Sequence, residues 1–102
     1  MYAVVHRPTM EFAGIAGFIQ SSMEFPEIYV AIIPRFRQKG LARESLDLCL
    51  NYANDVLGKN TIATLIKSEH KVGKKIVRKL GFKFKKFTFK NGKSFEMYVF
   101  TS

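Results

Sequence analysis

The sequence predicts an α/β (α+β) domain: a mixed, mainly antiparallel sheet with a central parallel strand pair, a crossover helix, a second helix and a C-terminal hairpin. Three observations carry this prediction. The run Ile28 to Ile33 is apolar throughout, the pattern of a strand covered on both faces. From Leu41 onward the apolar residues switch to helical spacing, with Leu46, Cys49, Leu50, Ala53 and Leu57 on one side. Near the end, Asn91-Gly92 separates two stretches that alternate apolar and polar residues, the strongest short-range hairpin signal.

Taken in order, Tyr2–His6 is an apolar, β-branched run stopped by Pro8, and Phe12–Gln20 is a second, with Gly14 and Gly17 marking bends or close backbone approach. Both read as antiparallel strands. Ser21–Phe25 reads as a loop before the buried strand, which Pro34 ends. The first helix carries Arg43, Glu44, Asp47, Asn51 and Asp55 away from its apolar face and can stop at Gly58. Thr61–Ile66 is β-branched and nearly free of polar alternation, as a strand beside the first buried one would be, so the helix joins two parallel strands. Ser68 is placed to cap a second helix with Val72, Ile76, Val77 and Leu80 on its apolar side, closed by Gly81. Phe82–Lys90 and Ser94–Phe100 form the hairpin, and a slip in alternation at Lys85-Lys86 predicts a bulge.

A chain of 102 residues with 47% hydrophobic content fits one domain spanning residues 1–102. A single cysteine, Cys49, between Leu48 and Leu50, excludes an internal disulfide and a cysteine-cluster metal site, and reads as a buried thiol of a reducing compartment. There is no apolar run of membrane-spanning length and no signal-peptide layout, so the expectation is a cytoplasmic protein with no membrane contact. The net charge of +9 is concentrated: residues 67–93 hold eleven Lys or Arg against one acid, Glu69. Such a surface attracts polyanions, whether a cofactor with several phosphates, a nucleic acid or an acidic protein.

Between the buried strand and the first helix lies a turn, Pro34 to Arg43, in which Gly40 stands among Arg35, Arg37, Lys39 and Arg43. The first backbone N–H groups of a helix lack intrahelical partners and sit at the positive end of its dipole, so a diphosphate can bind them. Gly40 removes the Cβ that would obstruct its approach, and Ala42 keeps the helix start uncrowded.

The segment Arg37-Gln38-Lys39-Gly40-Leu41-Ala42 resembles the Arg/Gln-x-x-Gly-x-Gly/Ala signature of the GNAT superfamily of acyl-CoA N-acyltransferases. The buried strand before it, the amphipathic helix after it and the ending Lys79-Leu80-Gly81-Phe82 of the second helix follow the same plan. Pro26-Glu27-Ile28 looks most like the branch that contains ribosomal-protein alanine acetyltransferases. The resemblance implies a GNAT-like fold and an acetyl-CoA-dependent N-acetyltransferase acting on a primary amine, without a metal. It implies that backbone groups at Ile32 and Ile33 pair with the pantetheine arm. It also implies that Arg37, Gln38, Lys39, Gly40, Leu41, Ala42 and Arg43 hold the pyrophosphate.

Acyl transfer to an amine needs a base, and Glu27 matches a position where many relatives carry one; otherwise it opens a strand in solvent. Where relatives have Asn and then Ala or Ser in the second helix, this chain has His70 and Gly73, and Val77 replaces a common general-acid tyrosine. His70 could bond the cofactor or carry a proton, or stand solvated at a helix start. Relatives usually begin with a further strand and two helices, so the acceptor site is expected to be open, completed by another subunit, or absent, and apolar surface left exposed without those elements is expected to make the protein a homodimer. A second reading, in another class, is a non-catalytic module that binds RNA, ribosome or another polyanion. It rests on Phe82, Phe84, Phe87 and Phe89 interleaved with lysines, although alternating aromatics in a strand are more often core.

Overall fold

The computed structural model describes residues 1–19, 25–58 and 60–101. Its strands are β1 (Tyr2–His6), β2 (Glu11–Ile19), β3 (Glu27–Ile32), β4 (Thr61–Lys67), β5 (Lys83–Lys90) and β6 (Lys93–Thr101), with helices α1 (Leu41–Asp55) and α2 (Lys71–Lys79). Gln20 and the expected loop at 21–24 lie outside the described residues. The strands form one sheet in the order β1-β2-β3-β4-β6-β5. Only β3 and β4 run parallel, with α1 as their crossover, and every other neighbouring pair is antiparallel. The fold class read from the sequence is the one observed.

A single core explains the element order. Leu46, Cys49, Leu50 and Ala53 of α1 and Val77 of α2 meet Ala16, Ile28, Ile62 and Tyr98 from one face of the sheet, together with Phe82. Burial pushes the Cys49 thiol above its ordinary pKa, as the inert reading of that cysteine requires. Asn91 and Gly92 both adopt left-handed φ, 53° and 75°, which gives the tight turn anticipated for that pair. The bulge appears between Phe84 and Lys86, where it was read.

Four details differ from the sequence reading. Ser68 does not cap α2; its hydroxyl bonds to that of Ser94 at 2.8 Å and its N–H to the Ser94 carbonyl, so it extends the β4–β6 pairing while His70 takes the cap position. Val72 is exposed because it lies five residues before buried Val77, about 140° around the helix, and Gly73 takes the inward position. Leu57 falls beyond the end of α1 and is exposed. The strand β3 is not covered on both faces: Tyr29 is exposed and Val30 to Ile33 are half-buried, for reasons the site geometry supplies.

Candidate functional site

The parallel pair β3 and β4 comes together at one end and parts at the other. Their ladder contains one bridge, Glu27 opposite Ala63, secured by the Ala63 N–H on the Pro26 carbonyl at 2.9 Å. A continuing parallel ladder would carry the Ile28 carbonyl to the Leu65 N–H. Instead the Thr64 hydroxyl donates to it, at 3.2 Å in a buried position. The strands are therefore closed off at Ile28 and Thr64 and splay beyond. Backbone groups two and four residues further along β3, on Val30 and Ile32, turn to the same side and face the opening.

The far end of β3 is held from the other side. A bulge in the β1–β2 pairing falls at Ala13, and the Ala13 carbonyl accepts the Ile33 N–H at 2.7 Å. Gly14 permits the approach, since a Cβ there would run into the Ala31 carbonyl oxygen. The Ile32 carbonyl accepts Arg37 Nε at 3.3 Å, tying the turn back to the strand. Of the two residues expected to offer backbone groups to a pantetheine arm, Ile33 thus turns its N–H to β2, while Ile32 faces the opening with its carbonyl engaged. Val30, which the sequence reading passed over, lies along the opening. Finding it required knowing where the ladder ends.

After the short 3₁₀ turn Pro34–Phe36, the chain reaches α1 through two left-handed residues, Gln38 at φ 62° and Gly40 at φ 78°. Gly40 is the N-cap and offers no side chain, and the first helical bond is Glu44 N–H to the Gly40 carbonyl at 3.0 Å. The N–H groups of Leu41, Ala42 and Arg43 precede that bond and have no helical acceptor. A Cβ on Gly40 would meet nothing within 4 Å, so the space over these amides is open.

The four cations of the turn divide by role. Arg35 is taken by Glu11, lowering that carboxyl's pKa through its hydrogen bond, and its guanidinium stacks on Phe36 at 4.3 Å. Arg37 is anchored on β3, whereas Lys39 and Arg43 are exposed and, among the described residues, in no ion pair. A depression of about 300 Å³ beside the helix start is lined by Gly40, Arg43, Glu44, Asp47 and Leu80. Its two carboxylates make it a poor seat for an anion; the open side of Gly40 is the better one.

Glu27 is buried, 4% exposed, rather than opening the strand in solvent. Cross-strand register places it in the row Ile19, Glu27, Ala63, Val99, on the sheet face opposite the helices and at the closed end of the opening. His70 is exposed at the N-cap of α2, and its imidazole lies where a side chain on Gly73 would stand. The departure from Ala or Ser at Gly73 is thereby explained: the ring and the missing methyl are one substitution. Val77 is core and has no proton to offer. Among the described residues no group of three metal-ligating side chains occurs. Nor is any helix among them long and apolar enough to cross a membrane.

A central parallel pair with a crossover helix that starts at a glycine, in a mainly antiparallel sheet ending in a hairpin, is the fold the sequence predicts. The family model of the acetyltransferase (GNAT) domain matches residues 1–83. The chain belongs to the GNAT acetyltransferase family. Among solved structures this GNAT domain superposes on a Bordetella pertussis protein described as a GNAT-family acetyltransferase, with TM-score 0.86 and 20% identity over 98% of this chain and 64% of that one. Mutant forms of the spermidine/spermine N-acetyltransferase of Vibrio cholerae give 0.77 at 19% identity, over 91% and 61%. The ribosomal-protein-S5-alanine acetyltransferase of Vibrio fischeri gives 0.82 at 11% identity, over 95% and 58%. At these identities the likeness is one of fold, and it favours no branch of the family. The chain spans less than two thirds of each of these structures. No curated protein matches it.

Proposed function

We propose that this GNAT domain binds acetyl-CoA across the β3–β4 opening and the start of α1, and transfers the acetyl group to a primary amine. The observation that carries the proposal is the end of the β3–β4 ladder at Ile28 and Thr64, which leaves the Val30 and Ile32 backbone facing an opening that leads to the turn at Gly40. Strand edges of this kind suit the amide groups of a pantetheine arm. The N–H groups of Leu41, Ala42 and Arg43, with Lys39 and Arg43 as exposed cations, suit a pyrophosphate. Gln38 and Gly40, both left-handed, shape the turn that presents those amides. His70 stands at the start of α2, beyond the end of β4, where it can meet the cofactor's outer part.

Acetyl-CoA supplies an activated thioester. An alkylamine is protonated at neutral pH and must lose a proton before it can attack the carbonyl. In this reading Glu27, buried on the face opposite the helices, takes that proton directly or through one water, and donor and acceptor approach from opposite faces of the sheet. Positioning supplies much of the rate in such transfers, and Val77 in place of a hydroxyl leaves the departing thiolate to be protonated by solvent.

The test is thermal shift with acetyl-CoA and with CoA, followed by thiol release across a panel of amines that includes spermidine and an N-terminal alanyl peptide. Both ligands should raise Tm, and Glu27→Gln should lower kcat by about 10²- to 10⁴-fold with the ligand shift intact. No shift with either ligand would remove the proposal.

A further inference from the structure

We propose that the channel between α2 and the edge strand β5 binds single-stranded nucleic acid, independently of the β3–β4 opening. The sequence pattern of β5 suggested that its phenylalanines are core. They are not: Phe84 is 46% exposed, Phe87 63% and Phe89 76%. Register accounts for this. Phe84, Phe87 and Phe89 stand opposite Tyr98, Glu96 and Ser94, and the bulge before Lys86 keeps all three rings on the helix-bearing face. On that face α2 is only nine residues long and lies over β6, where Arg78 reaches the Tyr98 hydroxyl and Lys74 reaches Glu96. Lys74 and Arg78 meet β6 at Glu96 and Tyr98, the residues opposite Phe87 and Phe84, so cations of α2 flank the aromatic stripe and the two bound the proposed channel.

Two of the rings are braced by neighbouring rings. Phe84 leans edge-on against Tyr98 and Phe87, with centroids 5.9 and 4.9 Å apart, while the β5–β6 ladder fixes the spacing of the rest. The surroundings are cationic along the whole length. Residues 67–93 contain eleven Lys or Arg and the single acid Glu69, and the one carboxylate in the channel floor, Glu96, is already bonded to Lys74 and Tyr98. Near the Phe89 end of the stripe, whose cross-strand partner is Ser94, lies a depression of about 250 Å³ lined by Lys67, Ser68, Glu69, Lys93 and Ser94, where two ammonium groups outnumber one carboxylate and could hold a phosphate.

This combination selects the occupant. An acidic protein would use the lysines and leave three exposed rings unexplained, and an apolar partner would strand the lysines. A duplex buries the faces of its bases in stacking. Unpaired bases have faces to stack on phenylalanine and phosphates to meet lysine, and such stacking is indifferent to sequence. The channel is separated from the acyl-donor opening by β4 and β6, so the two surfaces do not compete.

Fluorescence anisotropy with a labelled twelve-nucleotide oligouridylate, measured on the whole chain between 50 and 200 mM salt, tests the proposal. Binding should be tighter to the single strand than to a duplex of equal length. Phe87→Ala and Phe89→Ala should each weaken it about 5- to 150-fold, while Lys67→Ala with Lys93→Ala should flatten the salt dependence by about 1.4 in log–log slope. An unchanged acetyl-CoA thermal shift in these variants would show that they are folded. No binding at 50 mM salt, equal affinity for duplex, or full affinity in the phenylalanine variants would overturn the proposal. So would a wild-type dimer by light scattering that dissociates in Phe87→Ala/Phe89→Ala, because the stripe would then be occupied by a second copy.

Discussion

Gly40→Ala separates the conformational role of this glycine from its role toward a ligand. With φ at 78°, any side chain at position 40 is strained whatever space surrounds it. The left-handed region costs an L-residue about 1–2 kcal/mol, partly offset by about 0.4–1 kcal/mol from a stiffer unfolded chain. A net loss near 1 kcal/mol would lower Tm by about 4–8 °C in a domain of this size. No atom lies within 4 Å of the new methyl, so nothing inside the protein adds to that figure. The methyl would instead stand in the space over the first amides of α1. Wild type at an acetyl-CoA concentration of about 100 Kd should gain about 2.7 kcal/mol, or roughly 10–20 °C. If the methyl weakens binding by about 100-fold, the same concentration gives only about 0.4 kcal/mol, a shift of about 2–3 °C. Differential scanning fluorimetry reads both quantities. Gly58→Ala is the control, because Gly58 is also left-handed, at φ 66°, and equally uncrowded but lies at the other end of α1. It should lose the same stability and keep the full ligand shift. If Gly40→Ala also keeps the full shift, the phosphates lie elsewhere and the reading of the turn is wrong.

Two further substitutions test what holds the site. Tyr98→Phe removes the 2.7 Å hydrogen bond that lowers the pKa of buried Glu96, and should destabilise the fold by about 1.5–3 kcal/mol at neutral pH. Because the folded pKa is depressed, that stability is present above the unfolded carboxylate value, about 4.3, and is lost as pH falls through the folded one. Urea titrations of wild type and variant should therefore converge in acid, and a pH-independent difference would exclude the assignment. Gly14→Ala would drive a methyl into the Ala31 carbonyl where β2 steers the exit of β3, and should cost about 1–3 kcal/mol in urea denaturation. A neutral result would mean that the Ala13 bulge does not fix the end of β3.

What the sequence made legible was local. The switch from an apolar run to helical spacing located β3, the turn and α1. The Asn91-Gly92 pair and the slip beside it located the hairpin and its bulge. These features follow from backbone preferences of a few neighbouring residues. The end of the β3–β4 ladder was not legible, because it depends on the Thr64 hydroxyl meeting a carbonyl 36 residues earlier in the chain. Alternation in β5 gave the right strand with the wrong environment. Alternation broken by the bulge between Phe84 and Lys86 puts Phe84, Phe87 and Phe89 on one face, and only the sheet order and the length of α2 show that the face is uncovered there. Ser68 was misread for a similar reason: its local preference to cap a helix lost to Ser94, a partner from β6.

Tyr98 is the residue on which the two surfaces converge, and its contacts tie the sheet between them to α2. Its ring is fully buried opposite Thr64, whose hydroxyl closes the β3–β4 ladder, and its edge braces Phe84 at the start of the aromatic stripe. Its hydroxyl donates to Glu96 and accepts from Arg78, and burial together with the Glu96 bond raises its pKa. It therefore stays a neutral donor, and its share of stability is lost only as pH rises beyond about 10. Glu96 in turn receives Lys74, so two of the cations on α2 are spent fixing the helix to β6, and the rest are left facing solvent. A helix that needed its apolar face to reach β5 would have covered the phenylalanines. Seated by Val77 in the core and by polar contacts over β6, α2 stops short of β5 and leaves them open.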